Sequence, residues 1–161
     1  VLDLMIHDID LALTLAGSPV THVEATGVSV ATDHSDYAEA RLTFENGIVA
    51  TLAASRVAAA GERTVTVVEP GRRLTADLGA QTLSVAAGVS GQAEAETVTL
   101  ERADNLAAEI DAFISSVRDG TPPPVDGRAG LDALRVADMI LASIAQRRVE
   151  TPSTTAHGVP A

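Results

Sequence analysis

The chain contains no cysteine and no tryptophan, and its aromatic residues are one tyrosine and two phenylalanines among 161 residues. Without cysteine, neither a disulfide framework nor a zinc site built on thiolates is possible. Nothing in this composition requires an oxidising compartment, and we expect a cytoplasmic protein. The length fits one domain with a hydrophobic core.

An excess of positive charge and long hydrophobic runs are also missing. The formal net charge is −11 at pH 7. Because nucleic acids and anionic membrane surfaces repel an acidic protein, we expect neither as a partner. No segment approaches the length of a membrane span, and no signal peptide is visible.

The chain begins at Val1 rather than at a methionine, and the first helical pattern starts at once. A natural chain would normally supply a methionine and some lead-in to a helix cap. We therefore expect a fragment, either a cloned domain or a proteolytic product, that further residues once preceded.

Hydrophobic periodicity predicts three helices. The first spans residues 2–16, is mostly buried and ends at Gly17. The second begins after a cap at Asp104 or Asn105, and the third covers about residues 128–148.

Strands are predicted between the first helix and the second. They cover about residues 20–31, 37–44, 48–57, 63–68, 72–78, 81–85 and 96–100. The Asn46-Gly47 pair between two of them is a strong hairpin signal. Short connections favour antiparallel pairing.

The order of these elements predicts an α+β fold over residues 1–150, followed by a flexible tail at 151–161. We expect an open, mainly antiparallel sheet with one N-terminal and two C-terminal helices packed on one face. Its core should use one side of the clearest strand, namely Ala38, Ala40, Leu42 and Phe44.

The first helix carries a polar stripe. At about 100° per residue, Asp3, His7, Asp10 and Thr14 fall within roughly 60°. Because carboxylates are rarely buried without a partner, such a stripe on an apolar helix predicts a site for polar chemistry. Asp3 lies one turn from His7, where it can orient the imidazole, and histidine is a natural general base near neutral pH.

These residues also have plainer explanations. Asp3 can be a favourable charge near a helix N-terminus, with His7 a satisfied core residue. Asp8 lies about 100° off the stripe and is predicted to pair or to face solvent. We favour a structural role for Asp10 but keep it as a candidate substrate contact. The other histidines lie in the β region and the tail, so no metal site is predicted.

Two segments resemble the glucose–fructose oxidoreductase/inositol dehydrogenase/MocA (Gfo/Idh/MocA) family. Residues 1–13, Val-Leu-Asp-Leu-Met-Ile-His-Asp-Ile-Asp-Leu-Ala-Leu, resemble the start of its C-terminal domain, where an Asp is followed four residues later by His. Residues 105–113, Asn-Leu-Ala-Ala-Glu-Ile-Asp-Ala-Phe, with Gly120 and the Asp126-Gly127 pair, resemble its closing helices.

The resemblance implies the catalytic C-terminal half of an NAD(P)-dependent oxidoreductase acting on a sugar, cyclitol or sugar nucleotide. His7 would take the hydroxyl proton while hydride leaves the same carbon for nicotinamide, and Asp3 would assist His7. The family's N-terminal Rossmann domain, which mainly binds NAD or NADP, and its lysine in a Glu-Lys-Pro motif are not found here. We therefore expect the chain alone to be inactive.

Arg56, at the end of a predicted strand, resembles an arginine of relatives that act on nucleotide sugars, where it could meet a phosphate or a sugar hydroxyl. A surface arginine that offsets an acidic protein is an equally good explanation.

Relatives of the family commonly pair through their open sheets. The sheet face opposite the helices has few charges and little bulk, so we predict a homodimer with an isologous contact. A solvated antiparallel face is the alternative. For the whole protein, the alternative function is a non-catalytic binding or assembly module with the same fold.

Overall fold

The structure, a computed structural model, describes residues 1–88 and 95–149. The chain divides into two compact units. The first combines Val1–Ala58 with the C-terminal helix, and the second is Ala59–Pro124.

Three helices form within the described residues: α1 (Leu2–Ala16), α2 (Asn105–Asp119) and α3 (Gly127–Val149). The left-handed Gly17 (φ 57°) ends α1 and donates its N–H to the Leu13 carbonyl at 3.0 Å. Asp104 caps α2 by accepting N–H bonds from Leu106 and Ala107. The three predicted helices are confirmed. None of the described helices is long and apolar enough to cross a membrane.

The described strands form two antiparallel sheets. The three-stranded sheet contains β1 (Val20–Val28), β2 (Tyr37–Phe44) and β3 (Val49–Ser55). The four-stranded sheet contains β4 (Thr64–Glu69), β5 (Arg72–Asp77), β6 (Thr82–Ala87) and β7 (Ala95–Thr99). The predicted α+β fold with antiparallel strands is confirmed. The prediction had one sheet, whereas the described strands form two. In the described part of the chain, β3 and β4 are not hydrogen-bonded neighbours.

The core of the first unit lies where α1 and α3 pack on the three-stranded sheet. The predicted inner row of β2 is buried: Ala38, Ala40, Leu42 and Phe44. Opposite this row, Met5 and Ile9 of α1 and Ile140 of α3 have no exposed surface. Alternation along β2 therefore identified the core face of the sheet correctly.

Two helices are more exposed than their apolar content indicates. In α1 only Met5, Ile9 and Ala16 are buried, so the prediction of a mostly buried helix is wrong. In α2 the apolar side chains are 49–68% exposed: Leu106, Ile110, Phe113, Ile114 and Val117. Of the three helices expected on one sheet face, α1 and α3 belong to the first unit, whereas α2 belongs to the second.

The predicted tail, residues 151–161, lies outside the described residues. The division of the chain into a domain over residues 1–150 and a tail therefore stays a prediction.

Gly27 of β1 lies close to Ile144 of α3. A Cβ added there would lie 2.7 Å from the Ser35 Oγ and 3.0–3.1 Å from two carbons of Ile144. We expect Gly27→Ala to lower the free energy of unfolding by about 1–3 kcal/mol, because the tightly packed neighbours must shift. Chemical denaturation checks this value.

Gly61→Ala is the matched control, since a Cβ at Gly61 meets nothing within 4 Å. It should be neutral or slightly stabilising, because alanine reduces the entropy of the unfolded chain. Equal effects at Gly27 and Gly61 would contradict the close approach of α3 to β1.

Candidate functional site

Helical geometry separates the core side of α1 from its polar stripe. His7 lies two residues from each of Met5 and Ile9, which is about 200° around the helix. Because Met5 and Ile9 are buried in the core, the imidazole of His7 is exposed, and so is Asp3 one turn earlier. Asp10 follows Ile9 directly and is half-buried.

The stripe makes few bonds of its own. Within the described residues, neither the Asp3 carboxylate nor the His7 imidazole makes a side-chain hydrogen bond or an ion pair. The proposed orientation of His7 by Asp3 therefore stays a prediction. Asp8, off the stripe, is half-buried and has an interaction partner. No group of three metal-ligating side chains occurs in the described part of the chain.

A buried carboxylate that the sequence analysis did not single out organises the loop between β1 and β2. Asp36 is 1% exposed. Its Oδ2 accepts N–H bonds from Val30, Ala31 and Thr32 at 2.8–2.9 Å. Its Oδ1 accepts the Thr32 hydroxyl at 2.8 Å. Because one side chain satisfies three consecutive backbone donors, it fixes the path of the loop.

These bonds also fix the charge of Asp36. The backbone N–H groups of Ala31, Val30 and Thr32 hold the pKa of this carboxyl well below its ordinary value of 3.8, against the opposing effect of burial. A depressed pKa in the folded state contributes stability above the unfolded pKa, and this contribution is lost as the pH falls through the folded pKa. At neutral pH Asp36 is therefore a fixed negative charge.

Arg56 leaves the end of β3 beside this carboxylate. Its N–H donates to the Asp36 carbonyl oxygen at 2.8 Å, one step beyond the paired Tyr37 and Ser55. Its Nη1 lies 3.9 Å from the Asp36 Oδ1, and its side chain is 49% exposed. Arg56 is therefore anchored through its backbone and through its charge, while half of its side chain faces solvent.

The start of α1 and Arg56 lie toward the same end of the three-stranded sheet. At the other end, the Asn46 side-chain amide in the β2–β3 turn donates to the Ala16 carbonyl at 2.9 Å. From Ala16, α1 packs along β3 and rises about 20 Å back to Asp3. Over a similar length, about 23 Å, the chain runs from Val49 at the start of β3 to Arg56, the residue after its end. The first turn of α1, which carries Asp3, and Arg56 therefore both lie away from the end that holds the β2–β3 turn.

One signal in the sequence could have revealed Asp36. The run Thr32-Asp33-His34-Ser35-Asp36 lies between two strands and is rich in side chains that bond to nearby backbone N–H groups. Which of these side chains lies beside the end of β3 depends on the backbone bond from Arg56, which lies 20 positions further along the chain, to the Asp36 carbonyl.

Similarity to known proteins extends over most of the chain. The profile of the GFO/IDH/MocA C-terminal domain family matches residues 1–75. The UDP-N-acetylglucosamine 3-dehydrogenase of Acidithiobacillus ferrooxidans is 38% identical over 144 residues, which are 85% of this chain and 46% of that protein. The chain is a GFO/IDH/MocA C-terminal domain.

Two further comparisons agree with this family. The myo-inositol 2-dehydrogenase of Thermotoga maritima is 31% identical over 158 residues, or 91% of this chain and 47% of that protein. A solved structure of the Acidithiobacillus ferrooxidans enzyme superposes with a TM-score of 0.82 at 36% identity, covering 89% of this chain and 46% of that one. The GFO/IDH/MocA domain described here therefore spans about half the length of these relatives.

Proposed function

We propose that this GFO/IDH/MocA domain is the substrate-binding and catalytic half of an NAD(P)-dependent dehydrogenase that oxidises a hydroxyl group of a sugar nucleotide. The 38% identity to a UDP-N-acetylglucosamine 3-dehydrogenase over 85% of the chain carries this proposal. The similarity to an inositol dehydrogenase is lower, at 31%. Sugars and cyclitols are therefore the second substrate classes to test.

Residues of this chain accept the proton of the substrate hydroxyl. The exposed imidazole of His7 accepts the proton of the substrate hydroxyl as the carbon–hydrogen bond breaks. Asp3, one turn earlier on the same stripe, is the proposed residue that orients the imidazole. Asp10 and Arg56 are the proposed substrate contacts.

When bound, a nicotinamide cofactor would supply the acceptor for the hydride that leaves the same carbon. The described residues contain no glycine-rich turn between a parallel strand and a helix, the arrangement that holds a pyrophosphate in dinucleotide-binding folds. We therefore assign cofactor binding to another part of a longer protein, and either NAD or NADP fits this proposal.

The full-length protein tests this function directly. It should reduce NAD or NADP when supplied with UDP-N-acetylglucosamine, and less efficiently with myo-inositol, as followed by the absorbance of the reduced nicotinamide. Absence of turnover with sugar nucleotides, sugars and cyclitols would favour a non-catalytic module with the same fold.

We also propose that the outer face of the three-stranded sheet pairs with a second copy of the protein. This face combines small exposed side chains, such as Thr51 and Ala53, with charges of both signs, such as Glu39 and Arg41. Mixed charges allow such a face to be complementary to itself about a two-fold axis.

Sedimentation at micromolar concentration should show a dimer. Ala53→Glu should shift it to monomer, because each copy would place a new carboxylate in the contact. Ala59→Glu, the same change at an exposed position after β3, should remain dimeric. A monomeric parent protein would refute this contact.

A further inference from the structure

The Asp36 carboxylate does not require Arg56 as a hydrogen-bond partner. Its two oxygens already accept three backbone N–H groups and one hydroxyl. The 3.9 Å between the Arg56 Nη1 and the Asp36 Oδ1 is longer than a hydrogen bond. The pair is therefore joined by charge attraction, and among the described residues the guanidinium donates no hydrogen bond.

The surroundings restrict where the N–H donors of Arg56 can point. The backbone N–H of Arg56 is bonded to the Asp36 carbonyl, which fixes the root of the side chain. The carboxylate attracts one edge of the planar guanidinium, and the side chain is 49% exposed. An arginine with one edge held presents the other edge to a ligand, and this fork matches the oxygens of a phosphate.

We propose that Asp36 is a positioning residue that orients Arg56 toward a phosphate group of the substrate. This inference rests on the proposed function and names the group of the sugar nucleotide that Arg56 binds. Asp36 acts through Arg56 and has no contact with the reacting carbon. The rigid loop that Asp36 organises keeps the carboxylate in place before substrate binds, which reduces the entropy lost on binding.

The position of Arg56 in the fold supports this assignment. The start of α1 and the end of β3 both lie away from the β2–β3 turn, which is hydrogen-bonded to the C-terminal end of α1. A sugar hydroxyl at His7 and a phosphate at Arg56 can therefore belong to one extended molecule. A compact cyclitol carries no phosphate for Arg56 to hold.

A double-mutant cycle on the full-length enzyme with UDP-N-acetylglucosamine tests the inference. Arg56→Gln should raise KM by about 10- to 100-fold, the range for a lost charged hydrogen bond. Asp36→Asn, which removes the charge and replaces one acceptor oxygen by an NH2 group, should raise KM by a smaller factor with kcat little changed. In the Arg56→Gln background, Asp36→Asn should have no further effect on KM, because the residue it orients is gone.

Two controls separate positioning from stability. Asp77 accepts the N–H groups of Gly79 and Ala80 in a turn, at 2.9 and 2.8 Å. Asp77→Asn should lower the melting temperature without changing KM. For the Asp36 variant, the KM of a phosphate-free sugar should stay unchanged, since a merely structural role would affect both substrates alike.

A milder variant keeps the test decisive if Asp36→Asn does not fold. Thr32→Val removes the hydroxyl bonded to the Asp36 Oδ1, the oxygen that faces Arg56. It should raise the KM of the sugar nucleotide slightly, and this increase should vanish in the Arg56→Gln background.

Each contrary result has a different meaning. Additive effects of the Asp36 and Arg56 variants on KM, or an unchanged KM in Asp36→Asn, would overturn the positioning role alone. An unchanged KM in Arg56→Gln would overturn both the phosphate contact and the role of Asp36, with the dehydrogenase activity intact. Absence of activity in the parent enzyme would overturn the proposed function itself.

Discussion

His7→Ala should lower kcat of the full-length enzyme by about 10²- to 10⁴-fold, the usual contribution of a general base. The side chain is exposed and makes no side-chain bond in the described part of the chain. Its removal should therefore leave the free energy of unfolding almost unchanged. Steady-state kinetics together with chemical denaturation separate the two effects.

Asp3→Asn should reduce kcat less than His7→Ala, because it removes only the charge of the residue that assists His7 and leaves the base itself in place. His22→Ala is the matched control. His22 is also exposed and lies on β1, where its Nε2 is 3.9 Å from the Glu24 Oε1. The His22→Ala variant should keep the kcat of the parent enzyme. Near-normal activity of His7→Ala would contradict the assignment of the base to α1.

Phe44→Ala should lower the free energy of unfolding of the first unit by about 3–5 kcal/mol. Phe44 ends the inner row of β2, is 2% exposed and ranks among the largest fully buried side chains. Its removal leaves a cavity between the sheet and the helices that the rigid neighbours can only partly fill. Because a domain is stabilised by only about 5–15 kcal/mol, the variant should lose a large part of its stability.

The other phenylalanine provides the control. Phe113 lies on the apolar side of α2 and is 62% exposed. Phe113→Ala in this chain should change the free energy of unfolding by no more than about 0.5 kcal/mol. Urea denaturation of the two variants measures both values. A large loss at Phe113 with a small loss at Phe44 would contradict the burial described here.

Local sequence signals predicted the elements of this fold well. Gly17 adopts the left-handed conformation that ends α1, and Asp104 caps α2 as expected. The Asn46-Gly47 pair makes the turn between β2 and β3, where Gly47 has a φ of 84°. Each of these signals acts over a few residues, so neighbouring positions contain all the information required.

The sequence predicted one part of the candidate site and missed another. The stripe of Asp3, His7 and Asp10 follows from helical periodicity alone, and the structure places Asp3 and His7 together on the exposed side of α1. Their catalytic roles stay predictions. Asp36 was not predicted as a site residue. Its contact with Arg56 depends on the pairing of β2 with β3, which cannot be inferred from either segment alone.

The sequence by itself determined the helices, the strands and the inner row of β2, because periodicity and turn chemistry are properties of short segments. Only the tertiary structure decided that the strands form two sheets and that Asp36 is buried beside Arg56. It also decided which apolar faces are covered, since Phe44 is buried and Phe113 is exposed. An apolar face shows that a side chain can be buried, whereas its actual burial depends on contacts between residues distant in the chain.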